Sequence, residues 1–156
     1  MRVGTTLAVA LLLAATAGCG SSAPEGEHDG DHASEGFSAA ADLTTCTGQA
    51  TPADQPYGER FPSDWPFPPG TVVFNAEDRG SDGTIVTGVT STPFRRVLAF
   101  MNHDVVGAGY RTEQGETEEH DAEAEWDGHG FRGRWAIRES ASCPGETVLQ
   151  VVSTRE

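Results

Sequence analysis

Residues 122–138 read AEAEWDGHGFRGRWAIR, and this stretch decides the fold. Ala122, Ala124 and Trp126 alternate with Glu123 and Glu125 before the turn-rich Asp127-Gly128-His129-Gly130. Phe131, Gly133, Trp135 and Ile137 then alternate with Arg132, Arg134 and Arg138. Period-two alternation on both sides of a glycine-rich turn is the pattern of a half-buried β-hairpin. A turn centred on Gly128-His129 sets Trp126 opposite Phe131, Glu125 opposite Arg132 and Glu123 opposite Arg134. One face of the hairpin is then apolar, and the other matches acid to base. Such cross-strand pairs contribute about 0.2–1 kcal/mol each.

Outward from the hairpin the same reading continues. Cys143-Pro144-Gly145 marks a turn, and TVLQVVS (147–153) is a last strand. On the other side, the chain from Tyr110 is extended and acidic through EQGETEEHD (113–121). Residues 93–108 form the clear helix: Thr92 offers a capping hydroxyl, Pro93 suits the first helical position, and Gly107 and Gly109 mark the end. Phe94, Val97, Leu98, Met101 and Val105 make one apolar stripe, so one face is buried, most simply on a sheet. Thr71–Asn75 and Thr84–Thr90 are two further strands, parted by EDRGSDG (77–83). The order is strand, strand, helix, then three or four strands. It predicts an α+β fold: a single two-layer domain with a mainly antiparallel sheet of four to six strands and one amphipathic helix (about 93–108) on one face.

Before the first strand lies FPSDWPFPPG (61–70). Proline cannot donate to a ladder, so an irregular strap is expected here. Its aromatics, Phe61, Trp65 and Phe67, either pack on the domain or form an exposed surface for a partner. The face of the sheet away from the helix is the other candidate contact surface. The pattern Pro62-x-Asp64-x-Pro66-x-Pro68-x-Gly70, with Gly109-Tyr110 after the helix, resembles a type of small ββαβββ domain in exported proteins of high-GC Gram-positive bacteria. The resemblance covers roughly 61–153 and implies a fold and a location, not a reaction.

The N-terminus points the same way. Arg2, an apolar run from Leu7 to Ala15, and Thr16-Ala17-Gly18 precede Cys19. The run is shorter than the roughly 20 residues a membrane span needs and suits a signal-peptide middle region. The stretch resembles the lipobox of bacterial lipoproteins, with Thr16 where that motif more often has Leu. The resemblance implies cleavage before Cys19 and a diacylglyceryl group on its thiol. Two acyl chains anchor stably where one does not. Ala15-Thr16-Ala17 offers the competing reading, an ordinary signal-peptidase site and a soluble secreted protein. The chain has three cysteines, 19, 46 and 143. Lipidation of Cys19 uses the odd one and leaves Cys46 and Cys143 as a candidate disulfide; the alternative is two unpaired buried thiols. Residues 1–18 are thus read as signal peptide and 19–41 as the lipidated cysteine with an acidic, small-residue tether. Residues 42–156 form the extracytoplasmic domain.

Composition excludes some functions. Ten arginines, no lysine and 24 acids give a net charge of −14. Nucleic acid is a poor partner, because binding it rests on neutralising phosphates. Within the tether, His28, Asp29, Asp31 and His32 are weak candidates for zinc or copper. The acids Glu113, Glu116, Glu118, Glu119, Asp121, Glu123 and Glu125 suggest calcium, but no EF-hand loop accompanies them. A solvated edge that discourages sheet pairing explains them as well. Asp78 and Asp82 fit turn chemistry. His103-Asp104 has no nucleophile context. The reading is a non-catalytic binding or accessory module at the outer face of the cell membrane, held by lipid, with an envelope protein as possible partner and no cofactor. The alternatives are a metal-handling lipoprotein that uses the histidine tether and, more weakly, an envelope enzyme without a recognisable motif.

Overall fold

The computed structural model describes residues 45–156. In chain order these form β1 (Val72–Asp78), β2 (Thr84–Thr90), α1 (Phe94–Gly107), β3 (Arg111–Thr117), β4 (Asp121–Gly128), β5 (Phe131–Glu139) and β6 (Thr147–Arg155). A short 3-10 turn, Gly80–Asp82, joins β1 to β2. All strand pairs are antiparallel, in the order β1-β2-β6-β5-β4-β3. This is an α+β domain with one open six-stranded sheet and a single helix among the described residues. That helix is too short to cross a membrane.

The position of β6 explains its composition. It is last in sequence but central in the sheet, between β2 and β5. Leu149 and Val151 are buried in the core on the helix side, while Gln150 and Val152 on the opposite face are only half-buried. Four strands follow the helix, and the first of them, β3, forms one edge of the sheet. Six of its seven residues are exposed, yet its backbone pairs with β4. Its register slips between Thr112 and Gly115, so the acidic edge is both charged and bulged, which discourages a further strand. At the opposite edge, Ala53 N–H donates to Val73 O at 2.8 Å.

The β4–β5 hairpin forms, but its register differs from the expected one by two residues. Trp126 faces Gly133, Glu125 faces Arg134 and Asp127 faces Arg132. The two-residue loop is His129-Gly130, and both residues have positive φ, 55° and 79°. That is the requirement of a type I′ turn, whose twist matches the flanking strands. A displacement by two keeps every side chain on its face. Ala122, Ala124, Trp126, Trp135 and Ile137 are accordingly buried together.

The core lies between this face and α1. Val86, Val151, Trp135 and Ala124 form one continuous row across β2, β6, β5 and β4. Phe94, Val97, Met101 and Val105 of α1 close over it, with Leu98 partly buried beside them. The helix begins one residue later than the capping pattern implies. Pro93 is the residue before the first turn, extended at ψ 146°, and no side chain caps the helix. The Thr92 hydroxyl is engaged elsewhere, donating to Pro69 O at 3.1 Å. Strand β1 runs three residues beyond Asn75, because Ala76, Glu77 and Asp78 continue the ladder opposite Val86, Ile85 and Thr84.

Candidate functional site

The proline strap belongs to the core. Phe61 is 4% exposed and Trp65 5%, and Phe67 is half-buried against the same cluster. Phe61 and Phe67 stack with centroids 6.1 Å apart, and Tyr57 meets both edge-on. Trp65 sits 4.4 Å from Trp126 and 4.8 Å from Tyr110. The alternative in which Phe61, Trp65 and Phe67 form a partner surface is therefore corrected for Phe61 and Trp65. Burying large rings releases more free energy than displaying them in water. The prolines are pinned through their carbonyls. Thr90 and Thr92 both donate to Pro69 O, and Thr71 donates to Pro68 O at 2.7 Å.

One polar cluster joins the strap to the rest of the domain. Tyr110 Oη donates to Asp64 Oδ1 at 2.9 Å, and His129 Nδ1 lies 2.9 Å from Asp64 Oδ2. The His129 ring stacks on Tyr110 at 4.5 Å. Strap, helix end and hairpin turn thus meet at three side chains. Local geometry makes this possible: His129 occupies the left-handed position of the turn, and Gly109, at φ 100°, leaves room for its ring. A Cβ on Gly109 would lie 2.7 Å from His129 Nε2. The Tyr110 hydrogen bond, followed by that from His129, holds the Asp64 carboxyl below its ordinary value against the opposing effect of desolvation. Burial pushes the Tyr110 phenol well above its ordinary value, and the bond to Asp64 adds to this. An aspartate–histidine pair is a familiar base, but His129 turns its second nitrogen to Gly109 rather than to a nucleophile. The arrangement ties three elements together.

Beneath the strap runs a second row, Thr84-Ser153-Gly133-Trp126-Thr112, across five strands. Thr84 Oγ1, Ser153 Oγ, Trp126 Nε1 and Thr112 Oγ1 are buried without a hydrogen-bond partner among the described residues. Sequence alone gave no sign of this, since the row exists only once the register is set.

The face away from the helix is charged at one end. Asp121, Glu123, Glu125 and Asp127 of β4 stand beside Arg132, Arg134 and Arg138 of β5. Arg138 pairs with Asp121 at 2.8 Å, Arg134 reaches diagonally to Glu123 at 3.4 Å, and Arg111 of β3 takes Asp127. Glu123 and Arg134 are thus an ion pair, as expected, but from diagonal rather than directly opposed positions. Glu113, Glu125, Asp127, Arg132, Arg134 and Glu156 line an open depression of about 600 Å3 here. The Arg132 guanidinium has no partner among the described residues.

The remaining sequence candidates fall apart in space or lie elsewhere. His120 bonds to Glu139 at 2.9 Å, at the opposite end of the β4–β5 hairpin from the His129 cluster. His103 and Asp104 are exposed neighbours on α1. Asp78 accepts from Gly80 N–H at 2.8 Å, which is turn chemistry. Cys46 and Cys143 form a disulfide across 97 residues, with Cα atoms 5.7 Å apart, within the ordinary range. Glu146 supports it by accepting from Thr47 N–H at 2.8 Å. Cys19 and the candidate metal ligands His28, Asp29, Asp31 and His32 lie outside the described residues. No family model, curated protein or solved structure matches the chain.

Proposed function

We propose that the chain is an exported lipoprotein, anchored to the outer face of the cell membrane through a diacylglyceryl group on Cys19, whose domain is a non-catalytic binding or accessory module. The observation that carries this reading is the Cys46–Cys143 disulfide. Disulfides persist outside the reducing cytoplasm, and this one accounts for two of the three cysteines. It leaves Cys19, directly after a signal-like apolar run, as the thiol for modification.

The binding surface in this reading is the charged face of β3–β6 away from the helix. It is open, polar and fixed by strand register, and its two signs alternate. A protein partner with the complementary order of charges would be selected by electrostatic fit rather than by buried area. Crosslinking of the native protein in intact cells tests this. A recurring envelope-protein neighbour, lost in an Arg132→Glu/Arg134→Glu variant that still carries its lipid and its fold, supports the reading. A neighbour retained in that variant, or none, refutes this surface.

A further inference from the structure

A second surface lies on the other side of the molecule. Pro68, Pro69, Thr92, Ala99, Phe100 and His103 line a groove of about 380 Å3 between the strap and α1, with Arg96 and Asp104 on its rim. The half-buried Phe100 belongs to the edge of the core and gives the groove an apolar floor. Arg96 is exposed and has no ionic or hydrogen-bonding partner among the described residues. Among the described residues, Arg95 beside it has only the ring of Phe94, 5.7 Å away. Elsewhere on this acidic domain most arginines are matched: Arg60, Arg79, Arg111, Arg134 and Arg138 all have carboxylate partners. The groove thus has Arg96 at its rim and Arg95 next to it on the helix, neither matched to a carboxylate among the described residues, in a chain of net charge −14.

We propose that this groove is a docking site for the acidic segment 25–42 of the same chain, with Phe37 as the side chain that enters it. Charge is the first argument. The segment holds Glu25, Glu27, Asp29, Asp31, Glu35 and Asp42, no lysine or arginine, and Phe37 as its only aromatic residue. Placement is the second. The described chain begins at Thr45, and Cys46 is tied to Cys143. Thr47 N–H bonds Glu146, and the Thr147 hydroxyl donates to Thr92 O at 2.8 Å, at the near end of the groove. Reach is the third. Eight Cα–Cα steps lead from Phe37 to Thr45 and span up to about 28 Å. Helix α1, at 14 residues, is only about 21 Å long. Being on the same chain, the segment needs little intrinsic affinity, since a short linker gives an effective concentration of the order of millimolar. Docking would hold the domain close to its N-terminal attachment, and it does not depend on whether Cys19 is lipidated.

The test is a photocrosslink within the full exported chain carrying Phe37→p-benzoylphenylalanine, mapped by peptide mass spectrometry. The expected product is intramolecular, joins position 37 to the peptide containing Ala99, Phe100 and His103, and is independent of protein concentration. An Arg95→Glu/Arg96→Glu variant should lower its yield at least fivefold. So should neutralisation of Glu25, Glu27, Asp29, Asp31 and Glu35 to their amides, which leaves the described domain untouched and therefore separates loss of docking from loss of fold. A crosslink elsewhere on the domain, one between two copies, one to another protein, or none overturns the proposal.

Discussion

Tyr110 and Asp64, 46 residues apart, are joined by a 2.9 Å hydrogen bond at the point where the strap meets the end of the helix. Tyr110 is 1% exposed while the Asp64 side chain is 63% exposed, so one partner is fixed in the core and the other stands in water. The same two residues belong to two short sequence patterns, Pro62-x-Asp64 and Gly109-Tyr110. Their contact gives those patterns a physical purpose: they close the strap over Trp65 and Trp126.

Acid should weaken this closure. The Asp64 carboxyl is held below its ordinary value by Tyr110 and His129 in the folded state. Its contribution is therefore present above the unfolded carboxylate value and is lost as pH falls through the folded one, below about pH 4. The denaturation midpoint of the native protein should drop more steeply from pH 5 to pH 2 than that of Asp64→Asn. Parallel profiles for the two proteins would contradict the assignment.

Alkali should act through Tyr110. Its phenol is raised above the ordinary value, mainly by burial. The neutral form is favoured in the folded state, so this contribution is present below about pH 10 and is lost as pH rises through the folded value. Phenolate absorbance should show Tyr110 ionising only with unfolding, and Tyr110→Phe should remove that late transition. At neutral pH the substitution should cost about 1 kcal/mol, since Asp64 can turn to water.

Trp65→Ala should cost about 3–5 kcal/mol in denaturant unfolding, the range for deleting a buried large aromatic. A cost under about 1 kcal/mol would place Trp65 on the surface instead.

The buried row beneath the strap makes an opposite prediction. Ser153 Oγ and Thr84 Oγ1 have no partner among the described residues, so removing either hydroxyl relieves a desolvation penalty rather than breaking a bond. Ser153→Ala and Thr84→Val should be neutral or stabilising by up to about 1 kcal/mol. Destabilisation by more than about 1 kcal/mol would mean that these hydroxyls are engaged.

Reducing the disulfide should cost about 4–5 kcal/mol if closing a loop of near 100 residues acts through chain entropy. Denaturation of the Cys46→Ala/Cys143→Ala pair measures this. An unchanged midpoint would assign the bond no role in stability.

The helix, both N-terminal strands and the two faces of the hairpin were legible because side-chain period alone encodes them. The hairpin register was not. Gly128-His129 and His129-Gly130 both suit a turn, and alternation is blind to the displacement of two between them. Only backbone geometry, with positive φ at His129 and Gly130, chooses between them. The strap's aromatics read as core in preference to surface only because large rings usually serve the core, since proline spacing fixes the backbone but not the face it presents. The Asp64–Tyr110–His129 cluster left a faint trace, a lone acid among prolines and aromatics. Its partners come from elements 46 and 65 residues away, and no local pattern names them.

The most direct test of the account is the mass of the N-terminal peptide of the protein taken from the membrane fraction of its native cells. The account predicts a chain that begins at Cys19 and carries a diacylglyceryl group on the thiol. A chain that begins at Gly18, retains Met1, or bears a free thiol at Cys19 would contradict it.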